Sequence, residues 1–233
     1  MSTVGFYIPS YKRSDRILTH KLADYATYVV RESEREKYEK AGVKVWSVAD
    51  DLIVGIPKVQ NYIIDNAKED LIVIMDDDIK NFIYRIESNE ILTDADVIYD
   101  EIMRMAQIVY DLDIGYMSVP NDVNPKFYSS EFKFCGITGQ MRIINRKKCK
   151  SRFNEIDFLN DIDFELQELL HNRIILIPSY FGVNADIDTN SGGSNDRKTL
   201  EKFYIANEMM KNKWGVYYKE AEDGKPGRLN VKR

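Results

Sequence analysis

The chain has 233 residues, 44% of them hydrophobic and 30% charged, which suits one globular domain and argues against a disordered chain. Thirty-three Lys and Arg against 38 Asp and Glu give a formal charge of −5, which excludes a uniformly basic nucleic-acid coat but permits a local basic patch. Apolar runs such as Leu71 to Met75 and Ile174 to Pro178 fall far short of the ~20 residues a membrane helix needs.

The N-terminus runs straight into the strand-like Val4-Gly5-Phe6-Tyr7-Ile8-Pro9, with no basic-then-apolar leader, so a cytoplasmic protein is expected. A polar loop and helical stretch extend from there to about Asp24. Tyr28-Val29-Val30 then reads as a strand, Ser33 to Ala41 as a charged helix and Val43 to Val48 as a strand. Ile56 to Ala67, behind Gly55-Ile56-Pro57, reads as a helix, and Leu71 to Met75 as a buried strand. Strands separated by helix-length segments predict an open α/β sheet with parallel crossovers.

Beyond Asp76-Asp77-Asp78, Asp94 to Leu112 is a long helix with Val97, Ile98, Ile102, Met105, Ile108 and Val109 at helical spacing. Short strands are then expected at Gly115 to Val119, Phe132 to Phe134 and Gln140 to Ile144. A helix at Asp161 to His171, a strand at Ile174 to Ile177, a loop at Asn184 to Asn195 and a last helix at Lys198 to Lys213 complete the pattern. No repeat or long linker divides the chain, so one α/β domain is expected over 1–218, and then a charged tail over 219–233. Cys135 and Cys149 lack a CxxC or Cys/His context and only His20 and His171 occur, so neither zinc nor a disulfide framework is expected.

The strongest chemical signal is the apolar strand Leu71 to Met75, which delivers three carboxylates at the strand end where open α/β sheets bind ligands. A period of two sends Asp76 and Asp78 to one side and Asp77 to the other, giving two hard oxygen ligands for Mn²⁺ or Mg²⁺. Such ions bridge a few carboxylates to phosphates, which implies nucleotide chemistry; a solvated acidic turn is the alternative. After the first strand, Ser10, Tyr11, Lys12 and Arg13 suit a base and its phosphates. After the second, Glu32 and Glu34 suit a base or ribose, or else a helix start.

A second acidic cluster, Asn160-Asp161-Ile162-Asp163-Phe164-Glu165, opens a helix. It reads either as a cap or as the source of a general base, with Asp161 ahead of Asp163. The loop Asp188 to Arg197, with Ser191, Gly192, Gly193 and Arg197, could cradle a diphosphate or form a plain surface turn. Arg142, Arg146, Lys147, Lys148, Lys150 and Arg152 place six cations in eleven residues. They suit a DNA backbone, with Phe127, Tyr128, Phe132, Phe134 and Phe153 near enough to stack on bases, or a solvated loop.

Taken together, the strand ending in Pro9-Ser10-Tyr11, Gly55-Ile56-Pro57-Lys58 before a helix, the Val73 to Ile79 run and Asn160 to Phe164 resemble a GT-A glycosyltransferase. The Asp76 to Phe82 run and the Ser191-Gly192-Gly193 loop narrow the resemblance to the TET/JBP-associated glycosyltransferases of phages, similar to the base J glucosyltransferase. The resemblance implies a single GT-A, Rossmann-like domain with a mixed central sheet flanked by helices. It further implies an enzyme that moves a sugar, from a UDP-sugar such as UDP-glucose, to a hydroxymethylated pyrimidine such as 5-hydroxymethylcytosine in phage DNA.

By it, Pro9, Ser10 and Arg13 line the nucleotide pocket, Glu32 approaches the base and Lys58 the nucleotide. Asp76 and Asp78, or Asp77 by a shift of register, hold ribose and metal, and Asp161 is the catalytic base. Asn160 stands where the family's usual motif has Glu, and no histidine occurs after His171, so Asp186, Asp188 or water would be the third metal ligand. A protein or glycan acceptor, and a non-catalytic nucleotide- or DNA-binding module, are the competing readings.

Overall fold

The computed structural model describes residues 2–85, 88–121, 130–136, 139–154, 158–185, 199–220 and 227–231. Its first four sheet strands are β1 (Val4–Pro9), β2 (Thr27–Arg31), β3 (Lys44–Val48) and β4 (Leu71–Met75), joined by helices α1 (Arg35–Lys40) and α2 (Ile56–Asn66). All four are parallel, as the strand-helix alternation predicts. A hairpin of β5 (Ile79–Arg85) and β6 (Asn89–Leu92) comes next, then α3 (Ala95–Asp111), β7 (Tyr116–Val119), β8 (Phe132–Lys133), β9 (Met141–Asn145) and α4 (Asn160–His171). The chain continues through β10 (Ile177–Pro178), β11 (Phe181–Ala185), α5 (Leu200–Trp214), β12 (Tyr218–Lys219) and β13 (Arg228–Leu229).

The main sheet has the order β3-β2-β1-β4-β9-β7, and β9 runs antiparallel to both of its neighbours, which makes the sheet mixed. β4 shows why its residues read as an unbroken apolar run, because it is covered on both faces. Leu71, Val73 and Met75 pack with Ile98, Ile102, Met105 and Val109 of α3, whereas Ile72 and Ile74 pack with Val59 and Ile63 of α2 and Phe164 of α4. Helix α3 starts where Asp94 accepts hydrogen bonds from the Asp96 and Val97 amides. Helix α5 packs on α4 through Leu159, Leu166, Ala206 and Met210.

Four expectations change. The helical stretch before Asp24 is only a 3-10 turn at Thr19–Lys21. The hairpin β5–β6 is an element the periodicity does not announce, and β11 joins it in an antiparallel sheet, β11-β5-β6, over part of the segment expected to be loop. Phe82 stacks on Phe181 at 5.1 Å, and this pairing draws the small sheet into the core. The expected strand Ile174 to Ile177 contracts to Ile177–Pro178 plus a bridge from Leu176 to Met117. The boundary at 218/219 cuts through a strand: β12 pairs with β13, and Leu229 and Val231 pack against the apolar cluster between α4 and α5.

Candidate functional site

The parallel strands β1 and β4 lie side by side and end at one edge of the sheet, where β1 hands over to Ser10 and β4 to the acidic triplet. Thr19, fully buried, fixes this turn: its hydroxyl donates to the Asp76 carbonyl (2.7 Å) and accepts from the Ile79 amide (3.0 Å). The Thr19 amide reaches the Asp77 carbonyl at 3.3 Å.

The alternation of β4 carries into the first two acids of the triplet. Asp76 continues the face of Ile72 and Ile74, toward α4, whereas Asp77 continues the face of Val73 and Met75. The strand ends at Met75 and the chain turns at Asp77 and Asp78, so strand alternation does not set the direction of Asp78. Arg13 instead gathers the last two acids, its Nη1 standing 2.6 Å from Asp77 Oδ1 and 3.1 Å from Asp78 Oδ2. Ser10 donates its hydroxyl to Asp77 Oδ2 and lies 2.7 Å from the Tyr38 hydroxyl, which also accepts from the Arg13 amide at 3.1 Å. Burial works against the Arg13 charge, and the two aspartates outweigh it, raising the guanidinium above its ordinary range.

The Asp76 carboxylate accepts no hydrogen bond from a described side chain. Burial pushes its carboxyl up to about 7; Arg142 and Arg13 oppose the shift, while Asp78 and Asp77 add to it. The Asp78 carboxyl is likewise raised, by burial and then by Asp77.

Arg142 lies on β9 opposite Ile74, two residues before Asp76 on the neighbouring strand. It is buried, at 7% exposure, with Nη2 donating to the Gly139 carbonyl (3.1 Å) and the guanidinium over the Phe153 ring (5.6 Å). Burial works against its charge, but Tyr116, Asp76, Asp161 and Glu165 raise it. Position 139 admits only glycine, since a Cβ there would come within 2.1 Å of the Val119 carbonyl.

Helix α4 begins abruptly after Leu159, whose φ of 56° turns the chain into the helix. Asp161 stands in its first turn, with Oδ1 accepting from the Ile162 amide at 2.9 Å. Four residues on, Glu165 shares its helix face and is 1% exposed. Asp163 points the other way and is fully buried: Lys213 (2.7 Å) and Trp214 Nε1 (2.7 Å) hold Oδ1, and Gln167 (2.8 Å) holds Oδ2. Its place beside Asp161 as a catalytic group is therefore corrected to that of the anchor that docks α5 onto α4.

The other expected site residues lie in several places. Pro9, Ser10 and Arg13 share the edge with the triplet, and Lys58 lies in the first turn of α2, the crossover helix that starts at that edge. Glu32 is exposed and pairs with Arg35 at 3.7 Å, whereas Glu34, 6% exposed, receives the Lys12 amide at 3.0 Å. Tyr11, the Arg31 guanidinium 4.1 Å from its ring centroid, lies beside them. Ser191, Gly192, Gly193 and Arg197, with Asp186 and Asp188, fall outside the described residues.

The basic stripe does not form. β9 runs antiparallel to β4, so Met141 faces Met75 while Asn145 faces Leu71; Arg146 and the cations after it therefore emerge at the opposite edge, about 13 Å along the strand. There Arg146 donates to the carbonyls of Ile64 and Glu69, Lys147 pairs with Asp70 at 2.8 Å and Lys148 with Asp113 at 2.6 Å. Arg152 pairs with Asp65 at 2.8 Å, and Lys150 is exposed. Only Arg142 reaches the acidic edge, and it is interior. The sequence signal for it was a lone cation inside the apolar run Met141 to Ile144; Thr19, Tyr38 and Gly139 had none.

A family model described as TET-Associated Glycosyltransferase matches residues 4–193. Among solved structures, the chain is similar to the mannosyltransferase PcManGT from Pyrobaculum calidifontis in complex with GDP-Man and Mn2+, with TM-score 0.55, 11% identity, and 89% of this chain and 64% of that one covered. It is also similar to M. tuberculosis glucosyl-3-phosphoglycerate synthase, with TM-score 0.53, 10% identity, and 90% and 80% covered. S. aureus TarS 1-349 aligns at TM-score 0.47 and 15% identity over 89% of this chain and 65% of that one, so this chain spans less than two thirds of that protein and of the mannosyltransferase. No curated protein matches.

Proposed function

Because this chain belongs to the TET-associated glycosyltransferases, we propose that it moves a sugar from a nucleotide-sugar, a UDP-sugar such as UDP-glucose, to the hydroxyl of a hydroxymethylated pyrimidine in DNA. The observation that carries the chemistry is that Asp76, at the end of β4, and the buried Arg142, on the neighbouring β9, share the face of the sheet on which α4 packs with Asp161 in its first turn. In this reading the donor lies along the edge from Ser10 and Arg13 to Asp76, and the acceptor enters from the side of α4. The reaction belongs in the cytoplasm, that of a host cell if the gene is phage-borne. No described helix is long and apolar enough to cross a membrane.

The residues fit a divalent cation. Among the described residues no group of three His, Cys, Asp or Glu side chains could hold the ion by itself; Asp76 and Asp78 would hold Mn²⁺ or Mg²⁺ together with oxygens of the donor. When bound, the ion neutralises charge on the departing diphosphate. Asp161 takes the proton of the acceptor hydroxyl as its oxygen bonds to the anomeric carbon and the bond from that carbon to the diphosphate breaks. In this reading the displacement is single and inverts the anomeric carbon, with Asp161 as the base.

Incubating the protein with a nucleotide-sugar panel, Mn²⁺ and DNA containing 5-hydroxymethylcytosine or 5-hydroxymethyluracil, then weighing the nucleosides, tests the reading. A sugar-sized mass gain is expected. Hydrolysis of one nucleotide-sugar without gain on DNA would move the acceptor to protein or glycan, a reading favoured by the pairing of Lys147, Lys148 and Arg152 with acids far from the site. Neither gain nor hydrolysis would leave a non-catalytic module.

A further inference from the structure

Arg142 is an expensive residue for its position. Its same-face neighbours are the apolar Ile144 on β9 and Ile72 and Ile74 on β4, with Ser118 and Tyr116 on β7 to the other side, and a buried guanidinium there loses hydration that an isoleucine would not have to give up. An arginine buried for stability normally recovers that loss through a close ion pair and several hydrogen bonds. Here one N–H reaches the Gly139 carbonyl, Nε has no partner, and no described carboxylate comes within ion-pairing distance. Yet Asp76 continues the same face two residues past Ile74, and α4, which carries Asp161 and Glu165, packs on that face through Phe164, so carboxylates flank the group beyond ion-pairing distance. Unused donors near carboxylates that they do not reach form the pairing that sugar hydroxyls satisfy, since each hydroxyl accepts from the guanidinium while donating to an acid.

We propose that Arg142 binds the transferred sugar, its guanidinium taking hydroxyl oxygens of the hexose whose hydrogens turn toward Asp76, and so sets which sugar the enzyme accepts. The inference rests on the nucleotide-sugar reading above. It separates the sugar from the nucleotide, which Ser10, Arg13 and Asp77 serve on the other face of the sheet. The Gly139 turn holds the guanidinium from behind, so the fork presents one geometry to its ligand.

The test is calorimetric binding of UDP, UDP-glucose, GDP and GDP-mannose, in Mn²⁺, to the full chain and to Arg142→Met and Arg142→Lys. The better nucleotide-sugar is expected to bind Arg142→Met 10- to 100-fold more weakly than the unaltered protein, with the bare nucleotide within about twofold, because a charged hydrogen bond to a neutral hydroxyl is being removed. Arg142→Lys keeps the charge but not the fork, so it should lose less, and it serves if the methionine variant does not fold. Equal weakening of nucleotide and nucleotide-sugar would make Arg142 a folding residue, and no weakening of either would remove it from the site; both overturn the inference. Failure of the broader reading shows elsewhere, in unaltered protein that binds none of the four.

Discussion

Arg13 Nη1 stands 2.6 Å from Asp77 Oδ1, the two side chains only 11% and 5% exposed, and this pair ties the loop after β1 to the turn after β4. Asp77 also accepts the Ser10 hydroxyl, so its two oxygens are occupied before any ligand arrives. Removing one member of a buried pair leaves the other charge stranded. Asp77→Ala is expected to cost about 3–5 kcal/mol of stability, and Asp77→Ala with Arg13→Met clearly less, as read from urea unfolding. Equal loss in the single and double variants would show that the pair is not the stabilising element.

Asp161 and Asp163 should separate by phenotype. Asp161→Asn is expected to lower kcat by about 10²–10⁴-fold while leaving the thermal midpoint and donor affinity in place. Asp163→Ala strips the partners of Lys213, Trp214 and Gln167 and should destabilise the protein by about 3–5 kcal/mol. A stable but inactive Asp163→Ala would reverse the assignment.

Asp76 predicts a pH trend for the ligand-free protein. Its carboxyl is raised to about 7 in the fold, so the native state binds a proton more tightly than the unfolded chain does. That contribution is fully present below the unfolded pKa near 4 and fades as pH rises through about 7, so stability should fall across that window. Asp76→Asn should flatten the fall, which denaturation at a series of pH values would show. An unchanged slope would mean that Asp76 does not carry it.

Lys147 and Lys148 emerge at the edge opposite the acidic triplet and are already paired with Asp70 and Asp113. Neutralising both is expected to leave kcat/KM on a DNA acceptor, and its salt dependence, unchanged. A shallower salt slope would place the DNA path across that edge.

Burial, helped by Glu168, raises the Cys149 thiol far above its ordinary range, so it should resist thiol reagents at pH 8 until the chain unfolds. Mass spectrometry after a short alkylation should find Cys149 unmodified in the native protein.

The elements that the sequence disclosed share a strong local period. β4 is apolar throughout because both faces are covered, and α3 carries its own cap in Asp94. The hairpin β5–β6 was hidden because Lys80 and Asn81 interrupt the alternation between Ile79 and Phe82, and its partner β11 lies nearly a hundred residues away. In the site, Asp161 and Asp163 differ by two helical positions and so face opposite ways, but spacing alone does not say which faces the sheet. Arg142 read as one of six cations because the direction of β9, which separates it from the other five, is a tertiary fact.

The hydrogen-bond ladder between β4 and β9 acts as a ruler for chemistry. A slip of one residue would turn Arg142 to the α3 face and drive apolar side chains out of place, so folding itself forbids it. A slip of two would preserve the alternation of faces, yet carry the guanidinium about 7 Å along the edge from Asp76. A two-residue insertion or deletion that shifted this register would therefore part Arg142 from Asp76 while leaving both faces of the sheet apolar.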